Sequence, residues 1–135
     1  MDKIKVRIAN ENDINALMEL AEIWVHREER ERRIMITISM TRPNYHIVVA
    51  EREGKLVAFM AFYIWKSWVN TEVRLDVATV FVHPDWRGKG LCKKLWNLVS
   101  SLWPFDIAFV DTNLEYPLHL GFEKSANVTY YHRKN

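Results

Sequence analysis

The stretch VFVHPDWRGKGLC (residues 80–92) joins the end of an apolar strand to the start of a helix through a turn with two glycines. Gly88 and Gly90 let the backbone adopt positive φ and approach an anion closely. The first turn of a helix has free N–H groups at the positive end of its dipole, and Arg87 and Lys89 add positive charge. The stretch therefore predicts a turn that binds a phosphate or pyrophosphate.

Two common phosphate-binding motifs do not match this turn. The sequence contains no G-x-x-x-x-G-K-[ST] loop, and the dinucleotide fingerprint G-x-G-x-x-G would need a glycine at Lys93. A nucleotide-binding α/β protein therefore stays open only as a less favoured alternative. A tight strand-to-helix turn with incidental charges is the other alternative.

The segments on either side of the turn have regular periodicities. Alternation over Glu72–His83 predicts a strand, with Asp76 on the same face as Val80 and Val82. After the turn, leucines at helical spacing predict a helix over residues 88–103.

The rest of the chain supplies further strands and helices around this unit. The run 34–40 (IMITISM) is compatible with either a helix or a strand. The order of elements predicts an α/β (α+β) sandwich in which helices cover a mixed sheet. The other predicted elements are a strand over residues 3–9, a helix capped by Asn10 and Asp13 that runs to about residue 30, a hairpin over His46–Trp65 turned at Gly54, a strand over Ile107–Val110, one helical turn over Pro117–Leu120, and a closing hairpin of Phe122–Lys124 with Val128–His132.

Length and composition narrow the class of protein. The chain has 135 residues, 49% apolar and 27% charged, which predicts a single globular domain over residues 1–135. A net charge of +2 argues against a nucleic-acid-coating protein, and no apolar stretch is long enough to span a membrane. The single cysteine favours a reducing compartment, so we expect a cytoplasmic protein. The His and Cys residues show no metal-ligand spacing.

Several segments, taken in chain order, resemble one family. The segment RGKGLC (87–92) matches the pattern Arg/Gln-x-x-Gly-x-Gly/Ala except that Cys92 replaces the final Gly/Ala, and residues 80–84 (VFVHP) precede it. Residues 6–13, 48–59 and 120–122 are similar to the first strand and helix, the second and third strands, and the end of motif B. With these segments the chain resembles the GCN5-related N-acetyltransferase (GNAT) family.

The resemblance implies a fold and an activity. The fold would be a GNAT-like mixed, mostly antiparallel sheet of about six to seven strands, flanked by helices and splayed between strands 4 and 5. The activity would be transfer of an acetyl group from acetyl-CoA, without a metal, to a primary amine of a small molecule or peptide. An acyl-CoA-binding module with weak or no catalysis is the alternative. Neither nucleic acid nor a membrane is an implied partner, whereas a homodimer is compatible with the family.

The resemblance also implies which residues bind the cofactor. The pyrophosphate would lie on backbone amides of residues 87–92, namely Arg87, Gly88, Lys89, Gly90 and Cys92. The pantetheine arm would lie beside Val80, Val82 and Asn113, and an N–H from this part of the strand would stabilise charge on the thioester oxygen. Cys92 stands where the family has a small residue, and we expect it to be packed or next to the cofactor.

The catalytic residues depend on the resemblance most strongly. Asp76 is the first candidate for the base and Glu72 the second, although Asp76 could instead pair with Arg74. The family's motif-B tyrosine protonates the leaving thiolate, but Pro117 occupies that position here. Tyr116 is the candidate acid, with His119 or water as alternatives. We expect residues 26–45 and 65–70 to form the acceptor pocket.

Overall fold

Seven strands form one sheet in the computed structural model, which describes residues 3–24, 28–111, 119–124 and 129–133. The order across the sheet is β1-β2-β3-β4-β5-β7-β6. Every described pair is antiparallel except β4 with β5, which is parallel. The strands are β1 (Ile4–Ile8), β2 (Tyr45–Arg52), β3 (Lys55–Lys66), β4 (Val73–Val82), β5 (Ile107–Asp111), β6 (Glu123–Lys124) and β7 (Thr129–Arg133).

Helices cover both faces of this sheet. Helices α1 (Ile14–Trp24) and α2 (Glu29–Thr41) lie on one face, and α3 (Leu91–Leu102) lies on the other. Two 3-10 turns, Glu11–Asp13 and Pro84–Trp86, precede α1 and α3. The predicted GNAT-like architecture, a mostly antiparallel sheet flanked by helices, is confirmed.

The ambiguous run 34–40 is part of a helix. Ile36 and Met40 of α2 pack against the apolar cluster that Leu17 and Leu20 of α1 form with the sheet. Ile36 and Met40 are four residues apart in α2 (Glu29–Thr41), so they lie one turn apart on the helix face that packs on the sheet. Tertiary packing therefore decides between the helix and the strand that the composition of this run both allowed.

Local signals correctly located the turns. At the start of α1, the Asn10 side chain accepts a hydrogen bond from the Asn12 N–H, and the Asp13 carboxylate accepts one from the Asn10 N–H. Glu53 and Gly54 both have positive φ between β2 and β3, as a two-residue hairpin turn requires. The helix predicted over 88–103 begins instead at Leu91, because Gly88 and Gly90 adopt positive φ.

Each face of the sheet buries its own apolar cluster. On the α3 side, Leu91, Leu95 and Val99 pack against strand residues such as Val48 and Leu75. On the other side, Leu17 and Leu20 meet residues of β2, β3 and β4, which include Val49, Phe59 and Phe81. Alternation along the strands feeds both clusters, so the sheet is the shared middle layer.

Candidate active site

Strand β4 is paired with β5 over only the first half of its length. They pair in parallel from Arg74 with Ile107 to Val77 with Val110, and β4 then continues to Val82. Within the described residues, the second half of β4 therefore has a partner on the β3 side only. The predicted splay between strands 4 and 5 is confirmed, and it leaves an open strand edge.

A β-bulge marks the point where the two strands part. Val77 pairs with Phe62 and Thr79 pairs with Ala61 across β3, so Ala78 is the extra, unpaired residue. An extra residue reverses the facing of everything beyond it. Before the bulge Leu75 is buried in the α3-side cluster, whereas after it Val80 and Val82 pack there.

The bulge corrects the predicted facing of Asp76. The sequence placed Asp76 on the same strand face as Val80 and Val82, but the bulge puts it on the opposite face. Asp76 pairs with Tyr63, and Tyr63 pairs with Tyr45, which packs on the cluster beneath α1 and α2. The carboxylate therefore lies on the α1–α2 side of the sheet.

The same ladder fixes the direction of the free backbone groups. The His83 N–H donates to the Val57 oxygen of β3 at 2.8 Å. Because hydrogen-bonded and non-bonded pairs alternate in an antiparallel ladder, the N–H groups of Val80 and Val82 point away from β3. They point toward the gap that β5 leaves. The Arg87 Nε–H donates to the Val82 oxygen at 3.0 Å, on this same open side.

The turn after β4 presents unpartnered backbone amides. Gly88 and Gly90 both have φ of +76°, and no atom lies within 4 Å of a Cβ built on either one. The Lys94 N–H donates to the Gly90 oxygen at 3.1 Å. Within the described part of the chain, the N–H groups of residues 88–93 have no hydrogen-bond acceptor. Open space beside a row of free amides at a helix start fits a pyrophosphate.

Positive charge and aromatic rings surround this turn. The Arg87 guanidinium lies 5.5 Å from the Phe81 ring centre, and the Lys89 ammonium lies 4.7 Å from that of Trp86. The guanidinium of Arg52, at the end of β2, lies 5.1 Å from the centre of the same Trp86 ring. No sequence pattern pointed to Arg52, because only the sheet brings the end of β2 to this turn.

Cys92 and His83, on either side of the turn, make a packing contact and a capping hydrogen bond respectively. Cys92 is half-buried and packs against the α3-side cluster, and this burial raises the pKa of its thiol to about 11. The thiol is therefore protonated at neutral pH, in line with a packed residue. The His83 Nδ1 accepts a hydrogen bond from the Asp85 N–H at 3.1 Å, so this side chain caps the 3-10 turn.

The candidate acids and bases lie in different surroundings. The Trp65 indole N–H donates to Asp76 at 2.5 Å, and Arg74 Nη2 lies 4.0 Å from the other carboxylate oxygen. Glu72 accepts a hydrogen bond from Arg133 at 2.8 Å. His119 is exposed. Tyr116 and Asn113 lie outside the described residues, so their roles stay predictions.

A cleft opens between α1, α2 and the sheet, with a volume of about 370 Å³. Its walls are mostly apolar, with Trp24 and Phe59 among them, and its floor reaches Thr79 beside the bulge. Residues 26–45 were predicted to form the acceptor pocket, and α2 does line this cleft. The lining residues are Leu17, Ala21, Trp24, Arg32, Met35, Ile36, Ser39, Tyr45, Ile47, Phe59, Ala61 and Thr79.

The sequence did not single out the polar groups of this cleft. Arg32 and Ser39 project from α2, while Tyr45 and Thr79 project from the sheet. Burial raises the pKa of the Tyr45 hydroxyl. Helical spacing of residues 32, 35, 36 and 39 was the available signal, but the run 34–40 is equally compatible with a strand. Of the second predicted segment, 65–70, Trp65 contacts Asp76 and Trp68 is 92% exposed.

The described residues form neither a metal-ligand group nor a membrane-spanning helix. No group of three or more His, Cys, Asp or Glu side chains there is arranged to hold a metal ion. None of the described helices has both the length and the apolar character needed to cross a bilayer.

The fold is a mixed sheet in which β4 parts from β5 after a bulge and leads into a glycine turn. This is the acetyltransferase fold that the resemblance in the sequence implied. The family model described as "Acetyltransferase (GNAT) family" matches residues 11–102. The chain therefore belongs to the GNAT family.

Known proteins share this fold and part of the sequence. The L-amino acid N-acyltransferase MnaT of Escherichia coli K12 is 29% identical over 101 residues, which cover 68% of this chain and 58% of that protein. The aminoglycoside N-acetyltransferase AAC(6')-Iy, solved with CoA, has a TM-score of 0.80 at 18% identity, covering 94% of this chain and 92% of that one. The Escherichia coli GNAT family protein YhbS, also solved with CoA, has a TM-score of 0.78 at 15% identity, covering 98% and 82%.

Proposed function

We propose that this protein transfers the acetyl group of acetyl-CoA to a primary amine of a small molecule or peptide, by direct attack of the amine. The observation that carries the proposal is the open edge of β4. Its Val80 and Val82 N–H groups point into the gap beside β5, and the same strand runs into the turn with free amides at residues 88–93. One element thus offers donors for both a thioester and a pyrophosphate.

The residues of the turn and strand would hold the cofactor. The amides between Gly88 and Cys92 would take the pyrophosphate, with the side chains of Arg87 and Lys89 beside it. The pantetheine arm would lie along Val80 and Val82, where Asn113 is the predicted partner from the other side. Acetyl-CoA supplies an activated acetyl group when it is bound.

Asp76 is the proposed base. It lies on the α1–α2 side of the sheet, on the face whose cleft reaches Thr79 beside the bulge, so an amine in the cleft approaches from the side of this carboxylate. An alkylammonium with a pKa near about 10 must lose a proton before it attacks. The nitrogen then forms a bond to the acetyl carbon and loses its extra proton to solvent, the carbon–sulfur bond breaks, and the thiolate is protonated by Tyr116, His119 or water and leaves as CoA.

Properties of the similar proteins support this proposal. AAC(6')-Iy and YhbS were solved with CoA; the former is an aminoglycoside N-acetyltransferase, and MnaT is an L-amino acid N-acyltransferase. This chain spans 58% of the length of the curated relative, so the acceptor needs direct measurement.

A thiol-release assay tests the proposal. Acetyl-CoA is incubated with the protein and a panel of amino acids, aminoglycosides, polyamines and peptides, and free CoA is measured. We expect amine-dependent release. Stabilisation by acetyl-CoA without release for any amine would favour the binding-module alternative. Thermal stabilisation by ATP or NAD instead of acetyl-CoA would favour a nucleotide-binding protein.

A further inference from the structure

Arg74 is held between two aromatic rings from neighbouring strands. Its guanidinium carbon lies 4.6 Å from the ring centre of Trp65 on β3 and 4.1 Å from that of Phe109 on β5. Such stacking fixes the plane of a guanidinium and leaves its edge N–H groups for a planar anion. The Arg74 Nε is buried and has no hydrogen-bond partner within the described residues, while the side chain as a whole is 32% exposed.

Asp76 lies beside this cation without neutralising it through a hydrogen bond. The distance from Arg74 Nη2 to Asp76 Oδ1 is 4.0 Å, which exceeds hydrogen-bond range. The Trp65 indole N–H donates to Asp76 Oδ2, so one tryptophan orients both charged groups. Arg74 and Asp76 are about equally exposed, at 32% and 35%. The surface therefore presents one fixed cation next to one fixed anion.

This charge pair continues the floor of the α1–α2 cleft. Tyr45 lines the cleft and pairs with Tyr63, and Tyr63 pairs with Asp76. Directly paired residues of a sheet share a face, so the cleft and Asp76 open on the same side. Arg74 lies two residues before Asp76 on β4, again on this face. Moving away from the bulge, the face thus offers apolar walls, then a carboxylate, then a guanidinium.

We propose that Arg74 binds a carboxylate of the acceptor, which makes the acceptor an apolar α-amino acid. This inference rests on the proposed acetyl transfer. A zwitterion whose ammonium and carboxylate are separated by one carbon matches an anion and a cation lying side by side. The ammonium meets Asp76, the carboxylate accepts hydrogen bonds from the fork of Arg74, and the apolar side chain enters the cleft. Polycations such as spermidine have no group for Arg74.

The test compares acceptors that differ only in the carboxylate. Leucine, leucinamide and spermidine are assayed for thiol release with the wild type, Arg74→Gln and Arg74→Lys. Arg133→Gln is the matched control. Arg133 lies on β7, the strand next to β5, and its ion pair with Glu72 lies outside this cluster. We expect leucine to exceed leucinamide in kcat/KM by about ten- to hundredfold, as a charge-assisted hydrogen bond implies. Arg74→Gln removes this preference mainly through KM, Arg74→Lys restores part of it, and Arg133→Gln keeps it.

Failure of this inference is distinguishable from failure of the proposed function. Turnover of leucinamide or spermidine as efficient as that of leucine overturns the inference while acetyl transfer stands. A preference for leucine that survives Arg74→Gln in a folded variant also overturns it. If no amine is acetylated, calorimetric titration of leucine into the CoA-loaded protein decides. Binding that Arg74→Gln abolishes supports the carboxylate site, and no binding to the wild type overturns it.

Discussion

Asp13 links the start of α1 to strands β1 and β2 of the sheet. Its buried carboxylate accepts hydrogen bonds from both terminal nitrogens of Arg7, at 2.8 and 2.9 Å, and from the Asn10 N–H. Arg7 also donates to Glu51 on β2. A bidentate pair of this kind is among the stronger polar interactions in proteins, so the strand, the cap and the helix share one fixed junction.

Asp13→Asn should lower the free energy of unfolding at pH 7 by about 1–3 kcal/mol. Hydrogen bonds from Arg7 hold the pKa of the Asp13 carboxyl below its usual value in the folded state. The stabilisation is therefore present above the unfolded pKa of about 4 and is lost as the pH falls through the folded pKa. Urea unfolding at pH 7 and pH 3 measures this, and Asp85→Asn at an exposed carboxylate is the control. A difference between wild type and Asp13→Asn that is as large at pH 3 as at pH 7 would argue against the ion pair as its source.

Cys92→Ala should retain acetyl-CoA binding and most of the activity. Burial raises the pKa of this thiol to about 11, so a thiolate is scarce at neutral pH. Iodoacetamide should label the native protein at pH 8 about a hundredfold more slowly than the urea-unfolded chain. The chain has one cysteine, so the label reports this site alone. Loss of turnover in Cys92→Ala with intact acetyl-CoA binding would instead indicate a covalent role.

At the scale of elements, the turn between β4 and α3 is a loop of free amides that depends on two glycines. Gly90→Leu should abolish thermal stabilisation by acetyl-CoA, because the new side chain enters the space assigned to the pyrophosphate. Gly54→Leu is a matched control. Gly54 has φ of +80°, close to the +76° of Gly90, and neither has an atom within 4 Å of a built Cβ.

Both glycine variants should lose similar stability without ligand, about 1–2 kcal/mol from the left-handed backbone. Only Gly90→Leu should lose the response to acetyl-CoA in a melting experiment. An equal acetyl-CoA shift in Gly90→Leu and wild type would place the pyrophosphate elsewhere.

At the scale of the whole molecule, one sheet joins two apolar clusters. Leu17 is 2% exposed on the α1–α2 side, and Leu95 is fully buried on the α3 side. Because both clusters use the same strands, we expect the sheet and its helices to unfold together.

Leu17→Ala and Leu95→Ala should each lower the free energy of unfolding by about 2–5 kcal/mol. The two changes should shift one common transition, and they should add in the double variant because the sheet separates them. Urea unfolding followed by circular dichroism and by tryptophan fluorescence measures this. Two resolved transitions would contradict the predicted single domain.

The sequence by itself determined the elements whose signals are local. Asn10 with Asp13 set the start of α1, Gly54 set the hairpin, and the segment 87–92 set the glycine turn before α3. Each of these depends on contacts or backbone angles within a few residues, so the local sequence is enough to predict it. The family fold followed from their order.

Only the tertiary structure decided the facing of Asp76 and the state of run 34–40. A bulge at Ala78 arises from pairing with β3, and nothing in the local alternation marks it. Packing of α2 on the sheet selected a helix where composition favoured neither state. The stacking of Arg74 between Trp65 and Phe109 likewise joins three strands, so distant residues made a site that no single segment encodes.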